Sequence, residues 1–283
     1  MNAQPQVNLL SRLRYGMEGY YSPKLKTVAD FIVSNSDSAQ YLTITELARD
    51  TMTSEAPVIR LCRDLGFKGY SDFRMALAIE ISQPQATKNN DVPKEDGDRI
   101  DDATQSAITS LQDTSALIDR KQIDRICQMI HQADNIHCVG VGASSIVGRY
   151  LSFRLTRIGK SSTMFEDTHI AAMRAVKSKP SDLLFAISSS GSTKDVVYAA
   201  TRAKSQQSPV VSLTNIRHSP LSVTSDEVLV AARPEGPLTG GAFASKVSAL
   251  LLVDILINQL VAEHEEYAES VKDTAEVTMA FMV

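Results

Sequence analysis

Two serine-rich loops hold the residues best suited to chemistry in this chain. The apolar run DLLFAIS leads into SSGSTKDVVYAATRA, so that Ser188, Ser189, Ser190, Gly191 and Thr193 lie between a buried-strand pattern and a helical one. Hydroxyls and backbone N–H groups in such a loop donate several hydrogen bonds, and glycine permits close approach. The following helix start adds partial positive charge, and the combination suits a phosphate. HCVGVGASSIVGRYL repeats the arrangement with Ser144 and Ser145. Ligands of open α/β folds bind at the carboxyl edge of the sheet, so two such loops point to a small polyol carrying a phosphate. Either loop alone is also compatible with ordinary turn and cap chemistry. The G-V-G opening resembles a dinucleotide fingerprint, but Ser145 stands where the third glycine of G-x-G-x-x-G belongs, so no nicotinamide or other cofactor is expected.

Enzymatic use of this pocket, an aldose–ketose phosphate isomerisation through an enediol, requires a carboxylate or histidine base. Glu166, His169 and Glu235 are the candidates, and none has an acid–base partner in sequence. The five histidines show no metal-ligand spacing, and Cys62, Cys127 and Cys138 form no C-x-x-C pair, so neither a metal site nor a disulfide framework is expected.

A second chemistry resides near the N-terminus. TITELARDT, a turn at MTS and EAPVIRLCRDL have the lengths of a helix-turn-helix, whose second helix enters the major groove of double-stranded DNA. Val58, Leu61, Cys62 and Leu65 recur at helical spacing and face a core, which turns Arg60 and Arg63 outward. A guanidinium reads guanine O6 and N7 or bridges phosphate oxygens. The alternative is a solvated face with Arg60 paired to Asp64 one turn on. Thr43, Ser54 and Pro57, at helix starts, and Lys68 complete the candidate DNA-contacting set.

These residues need two kinds of scaffold. Up to residue 82 the pattern is all-α: Ser22 precedes Pro23 at a helix start, Thr43 and Glu46 form a capping box, Ser54 opens a helix that Gly66 stops, and Tyr70 to Ile81 is amphipathic. Residues 83–102 are rich in Pro, Gly, Asn and charge and read as a linker. From 103 to 283, NIHCVGVG, DLLFAIS, SPVVSLT and DEVLVAA alternate with helical patterns, which predicts a doubly wound parallel sheet and hence an α/β class for the chain. A closing helix is expected from Phe243 to Val261.

The 283 residues, 43% apolar, suffice for two cores. A net charge of −4 disfavours a strongly basic, non-specific nucleic-acid binder, and residues 1–82 carry nine basic and nine acidic side chains, so DNA binding must rest on local geometry. The start MNAQPQVNLL has no basic segment before an apolar run, and ALLLVDILINQLV is interrupted by Asp254 and Asn258, so neither export nor membrane insertion is expected and a cytoplasmic protein is.

The stretch SEAPVIRLCRDLGFKGYSDFRMAL closely resembles the signature of the RpiR family of transcription regulators, with Pro57 where the family more often has Thr. The second half is similar to a sugar isomerase (SIS) domain through GVGASS, SSSGST and SPL followed by DEVL. The resemblance implies that Ser144, Ser188, Ser190 and Thr193 hold a ligand phosphate, with Gly191 permitting the turn. It also places His169 at the sugar end and Lys246, usually Arg in the family, as a cation at the start of the last helix. It implies a homodimer or dimer of dimers that represses sugar or amino-sugar catabolism genes and responds to a phosphosugar. Within the family the chain is similar to NanR-type regulators of sialic-acid catabolism, which respond to N-acetylmannosamine 6-phosphate.

Overall fold

A computed structural model describes residues 9–17, 19–82, 99–232, 238 and 241–281. They fall into two compact units, one holding every element up to Ser82 and the other every element from Arg99 onward.

The first unit is helical: α1 (Leu9–Met17), α2 (Pro23–Ser34), α3 (Ser36–Ala39), α4 (Ile44–Asp50), α5 (Glu55–Asp64) and α6 (Tyr70–Ser82). The apolar stripes of these short helices meet in a core built on Leu13, Ile32, Leu47, Leu61, Phe73 and Leu77. Thr43 and Glu46 form the full reciprocal capping box, which satisfies two backbone donors that α4 leaves open. Ser22 and Ser54 occupy N-cap positions with extended backbones but make no side-chain cap bond. Gly66 ends α5 at a φ of +87°, the left-handed geometry that glycine tolerates best.

In the turn between α4 and α5, Met52 adopts a φ of +50° with 95% of its surface exposed. A left-handed L-residue costs about 1–2 kcal/mol, whereas glycine's extra freedom when unfolded costs only about 0.5–1 kcal/mol. Met52→Gly is therefore expected to be more stable than Met52→Ala by about 1 kcal/mol, read in denaturant midpoints; an equal or lower midpoint for the glycine variant contradicts it.

The second unit begins with α7 (Arg99–Ala116), whose first residues lie in the span read as linker, while 83–98 lie outside the described residues. It continues through α8 (Arg120–Gln132), β1 (Asn135–Gly140), α9 (Ala143–Arg157), β2 (Ser162–Phe165), α10 (Thr168–Val176) and β3 (Asp182–Ile187). The chain then passes through α11 (Lys194–Ser205), β4 (Val210–Thr214), α12 (Pro220–Thr224), β5 (Glu227–Val230), α13 (Phe243–Glu263) and α14 (Glu265–Met279). The five strands are all parallel in the order β2-β1-β3-β4-β5. The sequence reading missed β2, a four-residue edge strand without a fully buried residue, and the short or polar helices α1, α3 and α14.

Alternation along β3 builds both layers. Leu183, Phe185 and Ile187 enter one core with α8, α9 and α13, while Leu184 and Ala186 enter the other with α10, α11 and α12. By length and composition α13 is apolar enough to cross a bilayer, yet its Leu252, Val253, Leu256, Ile257 and Leu260 close the first core. Asp254 on the same helix accepts from Tyr150 Oη at 2.8 Å and pairs with Arg154.

The strand order reverses between β1 and β3, the position at which open α/β sheets leave a crevice at their carboxyl edge. At the opposite edge, buried Asp182 accepts from Asn135 Nδ2, the Lys179 N–H and Arg174 Nη2, each at 3.0 Å. Burial pushes its carboxyl up, but these partners outweigh it and hold the group below the usual carboxylate range. The cluster ties β1, β3 and α10 together below the crevice.

Candidate functional site

The last residues of β1 and β3, Gly140 and Ile187, are paired, so the loops that follow leave the sheet side by side. Beyond β3 the chain turns sharply: the Gly191 N–H donates to Ser188 O at 2.9 Å, and Gly191 holds a φ of +60°. The loop is braced from β4 and α12. Thr214 Oγ1 and the Asn215 N–H both donate to Ser189 O, at 3.2 and 3.0 Å, and the Leu221 N–H donates to Gly191 O at 3.0 Å.

Ser188 is buried and shares a 2.9 Å hydrogen bond with Thr193 Oγ1. Thr193 is the N-cap residue of α11 but makes no side-chain cap bond. Ser190 is exposed and accepts from the Ser192 N–H at 3.3 Å. Lys246, buried in the first turn of α13, donates its Nζ to Ser189 Oγ. One short loop thus gathers five hydroxyls, a helix N-terminus and an ammonium, which can bind a dianion through charge-assisted hydrogen bonds. Alongside it, Ser144 and Ser145 lie buried in the first turn of α9, with Ser145 Oγ donating to Gly142 O at 2.8 Å.

In the helical unit, α5 buries Val58, Leu61 and Cys62 and exposes Arg60 and Arg63. No ion pair joins Arg60 to Asp64 among the described residues, so the outward face of α5 is not consumed by the pairing that the sequence left open.

Residues 8–84 match the helix-turn-helix domain of the rpiR family, and residues 129–259 match the SIS domain. The HTH-type transcriptional regulator YbbH of Bacillus subtilis is 33% identical over 247 residues, 86% of this chain and 87% of that protein. The chain belongs to the RpiR family of transcriptional regulators. This regulator is also similar to the Vibrio vulnificus NanR protein, solved in complex with ManNAc-6P, at 60% identity and a TM-score of 0.87 over 98% of this chain and 100% of that one. The sugar isomerase domain of an RpiR transcription factor from Sphaerobacter thermophilus shares the fold, with a TM-score of 0.57 and 24% identity over 64% of this chain and 99% of that one.

In this RpiR-family regulator, Ser188, Ser189, Ser190, Gly191 and Thr193 lie on one loop joined by Lys246, with Ser144 and Ser145 in the helix start that follows the adjacent strand. His169 lies in the first turn of α10 and shares a cleft with α11. Its N–H donates to the N-cap Asp167 at 2.8 Å, and its exposed side chain lines a cleft of about 340 Å³ with Thr168, Met173, Asp195 and Tyr198. Glu166 faces Arg149 at 3.1 Å, and Glu235 lies outside the described residues. In the DNA-contacting set, Thr43 commits its hydroxyl to Glu46 Oε2 at 2.9 Å, Pro57 is half-buried, and Ser54 and Lys68 are exposed.

Sequence reasoning missed Thr214, Asn215 and Leu221, which brace the serine loop. Nothing local in SPL marked that the Leu221 N–H would donate to Gly191 O. Burial pushes the thiols of Cys62, Cys127 and Cys138 up to about 12, consistent with small core side chains. His131, His264 and Glu266 bring ligand-type atoms within 4.8 Å, but the two imidazoles stack with 4.0 Å between centroids and 5° between planes. Parallel rings cannot aim their in-plane lone pairs at one ion.

Proposed function

We propose that this regulator represses amino-sugar catabolism genes and is released from operator DNA by a phosphosugar of the N-acetylmannosamine 6-phosphate type, bound at the loop Ser188–Thr193. The loop's convergence of hydroxyls and the Lys246 ammonium carries the reading, and the similarity to NanR supports the choice of ligand. Ser144 and Ser145 take part from the adjacent loop, and His169 faces the sugar end. Arg60 and Arg63 read the operator, with Ser54, Pro57, Lys68 and the Thr43 helix start placed along the phosphates. Release requires that the ligand prefer the protein arrangement that fits DNA poorly, since equal affinity shifts nothing.

The functional division follows residues 1–82 for DNA, 83–102 as connection and 103–283 for the ligand. Operators with two half-sites call for a two-fold symmetric homodimer, acting in the cytoplasm. The pocket senses and does not catalyse: Glu166 is engaged by Arg149, and His169 is exposed at a helix start. Turnover of sugar 6-phosphates by the purified protein contradicts this.

The decisive experiment pairs calorimetry with operator binding. Ser188→Ala and Ser190→Ala are expected to lose about 1.5–3 kcal/mol of N-acetylmannosamine 6-phosphate affinity, with ligand-free operator binding intact. Arg60→Ala and Arg63→Ala are expected to lose about 1–3 kcal/mol of operator affinity, with ligand binding intact. Wild-type ligand affinity in both serine variants removes the phosphate from this loop. Wild-type operator affinity in both arginine variants removes α5 as the recognition helix.

A further inference from the structure

Glu55 is the first residue of α5, and its carboxylate is not left to solvent alone: Thr45 Oγ1, from the preceding helix α4, donates to Glu55 Oε1 at 2.6 Å. Both side chains are exposed, so the bond contributes little to burial and chiefly fixes where the carboxylate points. The N-terminal residues of a recognition helix are those that meet base edges. A carboxylate there accepts hydrogen bonds only and is repelled by phosphates, so it has no backbone contact to make. A favourable interaction with the helix dipole explains an acid at this position but requires no hydroxyl from α4.

We infer that Glu55 is a specificity-determining residue that accepts from a cytosine amino group in the major groove, with Thr45 as its positioning residue. The major-groove edges offer two amino donors, cytosine N4 and adenine N6. Adenine presents its acceptor N7 beside N6, which a carboxylate repels, whereas the cytosine edge has no such acceptor. With one Glu55 oxygen held by Thr45, the other carries the base contact. Arg60, five residues along the same helix, carries the opposite preference through guanine O6 and N7.

The inference rests on α5 being the recognition helix, and the test separates the two. Full-length wild type, Glu55→Gln, Thr45→Val and Arg60→Ala each select sites from a random duplex library, which are then sequenced. The wild type is expected to select cytosine at one position by about tenfold over other bases. Glu55→Gln is expected to abolish that preference or shift it to adenine, which an amide pairs through N6 and N7, while binding non-selected duplex several-fold more tightly because a repulsive charge is gone. Thr45→Val is expected to weaken the cytosine preference several-fold at an unchanged melting temperature, a result that a purely structural role does not produce. If Glu55→Gln selects the wild-type bases while Arg60→Ala alters the site, the role of Glu55 is overturned and the helix assignment stands. If neither variant alters the selected site, both are overturned.

Discussion

Gly191→Ala is expected to lower effector affinity by about tenfold to a hundredfold and to melt the α/β unit several degrees earlier. Two costs add at this position. Gly191 sits at a φ of +60°, where a side chain costs about 1–2 kcal/mol. A Cβ built there would lie 2.1 Å from Ser219 Oγ and 2.4 Å from Ser219 Cβ. Rotating Ser219 relieves the first contact but not the second. Ser219 is also buried and engaged in the capping box of α12, so α12 or the loop must move.

A combined cost of about 3 kcal/mol is divided between the two readouts: the share that strains the folded unit lowers its melting by about 2–4 °C per kcal/mol, and the share met only when the loop closes on ligand lowers affinity about tenfold per 1.4 kcal/mol. Calorimetric titration with N-acetylmannosamine 6-phosphate and scanning calorimetry read the two effects. The double variant Gly191→Ala with Ser219→Gly removes the obstructing Cβ and is expected to recover part of both losses. No recovery in that double-mutant cycle places the whole cost in the backbone conformation and discards the steric half of the argument.

Phe73→Ala is expected to lower the melting of the helical unit by about 12–40 °C and to weaken operator binding, while effector binding by the α/β unit persists. Phe73 is 1% exposed and packs edge-on to Phe67 at 5.6 Å and stacked on Tyr70 at 6.2 Å between ring centroids. Truncating a buried phenylalanine costs about 3–5 kcal/mol through lost transfer energy and the cavity left behind. Small domains hold only about 5–15 kcal/mol in all, and a unit of this size loses about 4–8 °C per kcal/mol. Scanning calorimetry of the full chain is expected to show one transition displaced downward and the other unmoved. A uniform shift of both contradicts the independence of the two cores. Phe73→Leu, which keeps most of the apolar volume, is expected to cost far less and to retain DNA binding.

Features that depend on residues a few positions apart were readable in the sequence. The Thr43–Glu46 capping box needs only a spacing of three, and the buried stripe Val58, Leu61, Cys62 and Leu65 needs only the helical repeat, so both appear as read. Ser22 and Ser54 show the limit even here. Composition marks a serine as the N-cap residue, but whether its hydroxyl turns to the backbone depends on a rotamer that sequence does not encode. The doubly wound class was readable from alternating apolar runs, because strands covered on both faces must be apolar throughout.

The tertiary structure alone decided how distant pieces meet. Strand β2, with Thr163 exposed and Ser162, Met164 and Phe165 only partly covered, has no burial signal strong enough to announce it, and pairing with β1 defines it. The serine loop has the composition of many ordinary turns. The parallel crossovers bring Thr214 and Asn215 from the end of the next strand, Leu221 from α12 and Lys246 from α13 onto its backbone and hydroxyls. Periodicity reports which face of an element is apolar. It carries no record of which element, many residues away, that face will meet, since the packing of whole layers sets that contact.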